Sequence, residues 1–333
     1  LKKPNHFLVN PTPVQTPIFE KNKIVMTNGT HVSIEDPRNN DVLVYINGEL
    51  VQRNDAKISV FDSGYLIGDG IWEAVRLHDG VLVFIDQHLE RLYAAAKSIG
   101  LDLKLSKQQL INEVNKVLQA NNMNSDVHVR IMFTRGIKKT PSQDPRYTLS
   151  GPNLVIIAEH KKASELVKQR GITLFTSTIR RGSPDYLDPR LNCHSKLHEV
   201  QALIQALEAG ADEALMLDQH GFVATCNSTN FFVVRNGAVW TSTGKYCMNG
   251  ITRANVITVC KNHQIEIQEK DFSLFDVYSA DEAFTTGTFG GLTPVIKIDG
   301  RIIGEGKPGL VTEKLSTLYK GLIDQEVERF KNK

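Results

Sequence analysis

The sequence predicts an α+β protein built as two lobes, and three observations carry that reading. The chain has 333 residues, more than one compact core of ordinary size holds. Short strand-like runs bounded by turn residues occur in two series, one from Val42 and one from Gly171, each interrupted by amphipathic helical patterns. No internal repeat or low-complexity tract links the two series, so neither is a copy of the other.

In chain order, residues 1–40 are rich in Pro and Asn without periodicity and are expected to form an irregular arm. Residues 41–160 read as a smaller α/β domain. "VLVYI" runs into an Asn47-Gly48 hairpin turn, and "KISVF", "IWEAVRL" and "VLVF" follow as further strands. Asp86 is placed to cap a helix that carries Leu89, Leu92, Tyr93 and Ala96 on one face and stops at Gly100. Ser106 and Gln109 form a capping box ahead of Leu110, Ile111, Val114, Val117 and Leu118 at helical spacing. "VHVRIMFT" alternates Val127, Val129, Ile131 and Phe133 on one face, and "NLVIIAEH" closes the lobe.

Residues 161–170 are charged and poor in apolar groups, which suits a connector, and residues 171–333 form the larger domain. It opens with the strand "GITLFTST". A helix after Lys196 places Leu197, Val200, Leu203, Ile204 and Leu207 on one apolar face, expected to pack inward, and ends at Gly210. Strands return in "EALML", "FVA", "NFFVVR" and "AVWT", with turns at His220-Gly221 and Asn236-Gly237. A helix after Gly250 carries Val256, Ile257, Val259 and Cys260. "DEAFTTGTFGGLTPV" is a strand entering a Gly-rich turn, and a C-terminal helix ends the chain.

Composition narrows the function. Lys plus Arg number 39 against 37 Asp plus Glu, for a formal charge of +2, and no run of five like charges occurs. Nucleic acid is therefore a poor partner. No apolar stretch is long enough for a membrane span. Cys193, Cys226, Cys247 and Cys260 are scattered without a C-x-x-C pair, which argues against zinc and a disulfide framework. Reduced thiols and a cytoplasmic location are the expectation.

Two segments have the chemistry of a phosphate cradle. Gly250-Ile251-Thr252 opens a helix, whose unpaired N–H groups and dipole favour an anion. Thr286-Gly287-Thr288-Phe289-Gly290-Gly291 is a turn whose glycines free backbone N–H groups for a ligand. Neither matches a P-loop or a dinucleotide-binding fingerprint, so a small phosphorylated cofactor is the better fit. Arg91 borders the apolar stripe of its helix, where it either meets solvent or points along the junction between lobes. Lys196 sits between a polar segment and a helix, where desolvation can lower an amine's pKa enough for Schiff-base chemistry. His194 and His198 are spaced for a metal on one helix face, but no third ligand is near. No metal is expected.

Together the blocks "DSGYLIGDGIWEAVR", "HLERL", "SKLHEVQALIQALEAGADEALMLD", "GFVATCNSTNFF", "NGITRANVI" and "TTGTFGGLTPV" resemble the class IV aminotransferases, in the family's order from about Val42 to Gly309. The family includes branched-chain and D-amino-acid aminotransferases and aminodeoxychorismate lyase. The resemblance implies pyridoxal 5'-phosphate held between two lobes and bonded as a Schiff base to Lys196, which then shuttles the proton. It implies cofactor contacts from Arg91, Thr225, Ile251, Thr252 and Thr288, and a homodimer. The activity implied is transfer of an amino group between a small amino acid or amine and a 2-oxo acid. A lyase of the same fold, or a cofactor-binding protein with little turnover, is the alternative. Tyr65 matches a tyrosine that helps hold the substrate carboxylate, Trp72 and Phe289 offer bulky walls, and Lys138, Lys139 and Arg146 are further loop cations.

Two departures from the family pattern matter. Thr225 stands where the family usually has a glutamate against the pyridine nitrogen. A hydroxyl cannot supply that charge, so a largely neutral ring nitrogen is expected. Gln201 stands where branched-chain enzymes have a tyrosine near the ring hydroxyl.

Overall fold

A computed structural model describes residues 29–332. Most of the expected N-terminal arm lies outside the described residues. Its described end is packed: the Thr30 N–H donates to Glu213 at 2.8 Å, and His31 stacks on Phe289. A 3-10 turn over Pro37–Asp41 leads into the first sheet.

That sheet is six-stranded and antiparallel. Its strands are β1 (Leu43–Ile46), β2 (Glu49–Gln52), β3 (Gly70–His78), β4 (Val81–Leu82), β5 (Val127–Thr134) and β6 (Asn153–His160), in the order β2-β1-β6-β5-β3-β4. Asn47 and Gly48 both take positive φ in the β1–β2 turn, as a tight hairpin demands. The short α1 (Ser63–Ile67) precedes β3, while α2 (Ile85–Ser98) and α3 (Lys107–Ala120) cover one face. The alternation in β5 sets the sides. Val127, Val129, Ile131 and Phe133 join Leu89, Leu110 and Val114 in the core, which leaves His128, Arg130 and Met132 on the opposite face.

The second sheet has nine strands: β7 (Ile172–Thr176), β8 (Glu213–Leu217), β9 (Val223–Cys226), β10 (Asn230–Arg235), β11 (Ala238–Thr241), β12 (Ile267–Glu269), β13 (Glu282–Gly287), β14 (Gly291–Ile298) and β15 (Arg301–Ile302). Their order is β12-β11-β10-β13-β14-β7-β8-β9, with β15 on β14. β9 ends that order and β10 lies far along it, yet only residues 227–229 join them, so the sheet curls. The helices of this region are α4 (Glu165–Arg170), α5 (Leu197–Glu208), α6 (Ile251–Asn262), α7 (Leu274–Tyr278) and α8 (Leu310–Lys331). None of the described helices is long and apolar enough to cross a membrane.

Four local expectations are corrected. "KISVF" forms no strand: among the described residues its end meets another segment only where the Phe61 carbonyl accepts from the Lys138 N–H at 2.9 Å, and Val60 and Phe61 are exposed. Asp86 is not the cap of α2: the helix starts at Ile85 after Phe84 in a left-handed conformation, and Asp86 sits in the first turn, where its charge still suits the dipole. The connector holds α4, whose Val167 is buried in the large core. The fourth concerns α5. Its buried contacts come from Ala202 and Ala206 against Ala214 and Met216, while Leu197 is 69 % and Val200 50 % exposed. Small residues allow the helix to lie close on the sheet, so the larger apolar residues face outward.

Candidate active site

Lys196 is placed by two elements. Residues 192–194 dock on the free edge of β3, with the Trp72 N–H donating to the Asn192 carbonyl and the His194 N–H to the Gly70 carbonyl, both at 2.9 Å. The Trp72 indole N–H also donates to the Cys193 carbonyl at 3.1 Å. Lys196 is then the N-cap residue of α5. Its side chain enters a cavity of about 560 Å³ shared by the two sheets.

The opposite wall is an anion cradle. Gly250 is the N-cap of α6 and no side chain caps the helix, so the N–H groups of Ile251 and Thr252 are free for a ligand. Arg91 reaches across from α2, with Nη1 donating to the Asn249 carbonyl at 2.9 Å. Its aim is set by Glu73, 1 % exposed, which accepts from Arg91 Nε at 2.6 Å and Nη2 at 2.8 Å. The ring of His88 contacts the same carboxylate at 2.8 Å. Burial raises the Glu73 pKa, but the bonds from Arg91 and His88 outweigh it and hold it below the usual carboxylate range. Thr288 and Phe289, in the turn between β13 and β14, complete this side.

A cationic corner adjoins the cradle. The polar face of β5 presents His128 and Arg130, the latter 4.1 Å over the Trp72 ring. Lys161 Nζ lies 4.8 Å over the Phe289 ring, which also meets the rings of His31 and His128. Burial, then the charges of Lys161 and Arg130, depress the His128 pKa to about 3, and burial lowers that of His31. Both imidazoles are therefore neutral near pH 7, leaving Arg130 and Lys161 as the permanent charges.

Of the residues singled out from sequence, Lys196, Arg91, Thr225, Ile251, Thr252, Thr288, Trp72 and Phe289 all line this cavity. Tyr65 does not. It is 75 % exposed on α1 and borders a smaller recess with Met132 and His194. Lys138 is buried and donates to the Asp144 carbonyl, Arg146 pairs with Asp144, and neither these nor Lys139 reaches the cavity. Gln201 also faces away. Along α5 the cavity is met at Lys196, Glu199, Val200 and Leu203, one helical face at three- and four-residue spacing, and Gln201 is not on it. Sequence reasoning missed Glu73, Arg130, Lys161, Arg181 and Glu199. The "VHVRIMFT" run contained a signal for Arg130, since a charge alternating with core positions lies on the face opposite the core, whereas Glu73 shares the core face of β3 with Ile71, Val75 and Leu77 and gave no such signal.

The donor set fits a phosphorylated, ring-bearing cofactor. Lys196 supplies an amine, and Arg91 and the α6 terminus supply the anion site. Thr286 Oγ1 and Asn192 Oδ1 are buried in the lining without hydrogen-bond partners, as groups that wait for a ligand would be.

A family model for class IV amino-transferases matches residues 70–298. The chain belongs to this family. A putative branched-chain-amino-acid aminotransferase of Methanocaldococcus jannaschii is 39% identical over 280 residues, 84% of this chain and 96% of the relative. Branched-chain-amino-acid aminotransferase-like protein 2 of Arabidopsis thaliana is 38% identical over 292 residues, 88% of this chain, although the chain spans only 52% of that relative. Among solved structures, a T.th. branched-chain amino acid aminotransferase with pyridoxamine 5'-phosphate superposes with a TM-score of 0.80 at 28% identity, covering 86% of this chain and 95% of the other. The two-sheet class IV aminotransferase fold and its cofactor class thus agree with the reading from sequence.

Proposed function

We propose that this chain is a pyridoxal-phosphate-dependent aminotransferase, moving an amino group between an amino acid and a 2-oxo acid. What carries the reading is one juxtaposition: the Lys196 amine shares a cavity with the Arg91–Asn249–Gly250 cradle. Arg91, Ile251, Thr252 and Thr288 would hold the phosphate, with Lys196 and Thr225 toward the ring. When bound, the cofactor supplies an aldehyde that condenses with amines and a ring that accepts the electron pair left by a departing proton.

The chain's own residues then divide the work. Lys196 Nζ would be the amine that holds the cofactor and, when free, the base that takes up the substrate's α-proton. Arg91 and the α6 N–H groups orient by fixing one end, a positioning effect. Trp72 and Phe289 exclude water from the walls. Arg130 and Lys161 offer the charge that a substrate carboxylate needs. The T.th. enzyme was also solved with N-(5'-phosphopyridoxyl)-L-glutamate, and two cations beyond the phosphate cradle favour a dicarboxylic donor of that type.

Mixing the loaded protein with single amino acids and no acceptor tests the activity. Formation of the matching 2-oxo acid, stoichiometric with enzyme and absent in Lys196→Ala, is the expected result. Pyruvate released catalytically without an acceptor would instead establish a lyase.

We infer further that the active form is a homodimer. Leu197, Val200, Ile204 and Leu207 form an exposed apolar stripe on α5, and Tyr186, Tyr65 and Phe61 are also exposed. A second copy of the chain is the occupant that family membership favours for such a face.

A further inference from the structure

Residues 29–41 run from the larger lobe to the smaller as a strap fastened at both ends. The first anchor is on the second sheet. Thr30 is buried, its N–H donates to Glu213 Oε1 at 2.8 Å, and its hydroxyl lies 3.5 Å from that of Thr285. Glu213 is itself buried, and its other oxygen accepts from the Thr229 hydroxyl at 3.0 Å. The strap thus supplies a hydrogen bond to a buried carboxylate, a bond that is costly to leave unmade. Gly290 leaves room for the segment, since a Cβ there would lie 2.5 Å from Thr30 Cγ2. A turn closed by the Val32 N–H on the Gly29 carbonyl at 2.9 Å follows, and Ser33 then bridges to Ala163. The second anchor is on β6, where the Asn39 side-chain amide exchanges two hydrogen bonds with the His160 backbone, both at 2.8 Å.

The turn delivers one side chain to the cavity. His31 lines it and keeps accessible surface. Its ring stacks on that of Phe289, with centroids 6.2 Å apart and planes 14° from parallel. The same Phe289 ring carries Lys161 Nζ at 4.8 Å and meets His128 edge-on at 5.7 Å. Lys161 and Arg130 are near enough for both charges to act on His31. These contacts place His31 in the cationic corner, whereas the anion cradle is built by Arg91, Asn249 and the start of α6.

The anchors are made by Thr30, Ser33 and Asn39, so the His31 side chain can change while the strap stays in place. Removing the imidazole would turn the Phe289 face that it covers into cavity surface. A larger ring would fill more of the corner.

We propose that His31 is a specificity-determining residue, set by the strap as a wall of the substrate corner where it limits the length of the donor side chain. The strap precedes residues 70–298, so this wall is added to the part of the chain that the family model matches. The inference rests on the reading of Arg130 and Lys161 as the substrate end of the cavity, and the experiment separates the two.

Wild-type, His31→Ala and His31→Trp holoenzymes are mixed, without acceptor, with donors that differ by one methylene at equal charge. The pairs are aspartate against glutamate and norvaline against norleucine, each in both enantiomers. The half-reaction gives a maximal rate and an apparent Kd for each donor. One methylene against a pocket wall is worth about tenfold or more. The preference for the longer donor should therefore rise about tenfold in His31→Ala and fall about tenfold in His31→Trp, chiefly through the apparent Kd. Melting temperature and cofactor affinity should stay at the wild-type values. A merely structural side chain would not move the preference in opposite directions in the two variants. A preference that stays within about twofold of wild type in both loaded variants, or moves the same way in both, overturns this proposal alone. Loss of cofactor affinity in His31→Ala would make the ring part of the cofactor scaffold and overturns it too. Wild-type protein that yields no 2-oxo acid from any amino donor overturns the parent reading with it.

Discussion

Replacing Glu73 with Gln tests whether the phosphate end is organised from behind. The glutamine retains one oxygen to accept from Arg91, but its amide sets hydrogens against either Arg91 Nη2 or the His88 ring, both now 2.8 Å from the carboxylate. Glu73 is 1 % exposed, so water cannot repair the mismatch. Breaking a buried ion pair by removing one partner costs about 3–5 kcal/mol, and the surviving bond puts this case near ~3 kcal/mol. At ~2 °C per kcal/mol for a chain of this size, the melting temperature should fall by ~6 °C. Arg91 loses its fixed aim as well, and a loss of about 1.4 kcal/mol in phosphate anchoring is a tenfold weaker cofactor dissociation constant. Thermal melts and cofactor titration read the two effects. A melting point within ~1 °C of wild type, together with unchanged cofactor affinity, would refute the argument that Glu73 preorganises Arg91.

Three other outcomes follow from the same geometry. A Cβ at Gly250 would collide with Asn230 Oδ1 at an ordinary negative φ, so Gly250→Ala should cost about 1–3 kcal/mol of stability and weaken cofactor binding measurably by titration. His128 has a folded pKa of about 3 against 6.5 unfolded, so below pH 6.5 the unfolded chain binds the extra proton. Its contribution is fully present above 6.5 and is lost as pH falls toward 3, at up to about 1.4 kcal/mol per pH unit. Urea midpoints should drop between neutral and mildly acidic pH, with a shallower drop in His128→Gln; equal slopes would contradict the assignment. Ile204→Glu places a charge in the exposed stripe of α5 and should shift sedimentation from dimer to monomer, whereas unchanged sedimentation would remove α5 from the interface.

Local physics made much of the architecture legible in the sequence. The Asn-Gly turns, the Ser106–Gln109 capping box and the alternation in β5 are decided by residues a few positions apart, and all three stand in the structure. The helix start at Gly250 and the placement of Lys196 before a helix are local in the same sense. What distant segments bring together was not legible. Periodicity divides α5 into faces, but only the close approach of Ala202 and Ala206 to the sheet decides that the larger apolar face turns outward. Arg91 receives its aim from Glu73, 18 residues away, and its carbonyl partner from Asn249, 158 residues away. Tertiary structure put Glu199 and Arg181 into the same cavity, because an electrostatic environment is set by distance through space and not by separation along the chain.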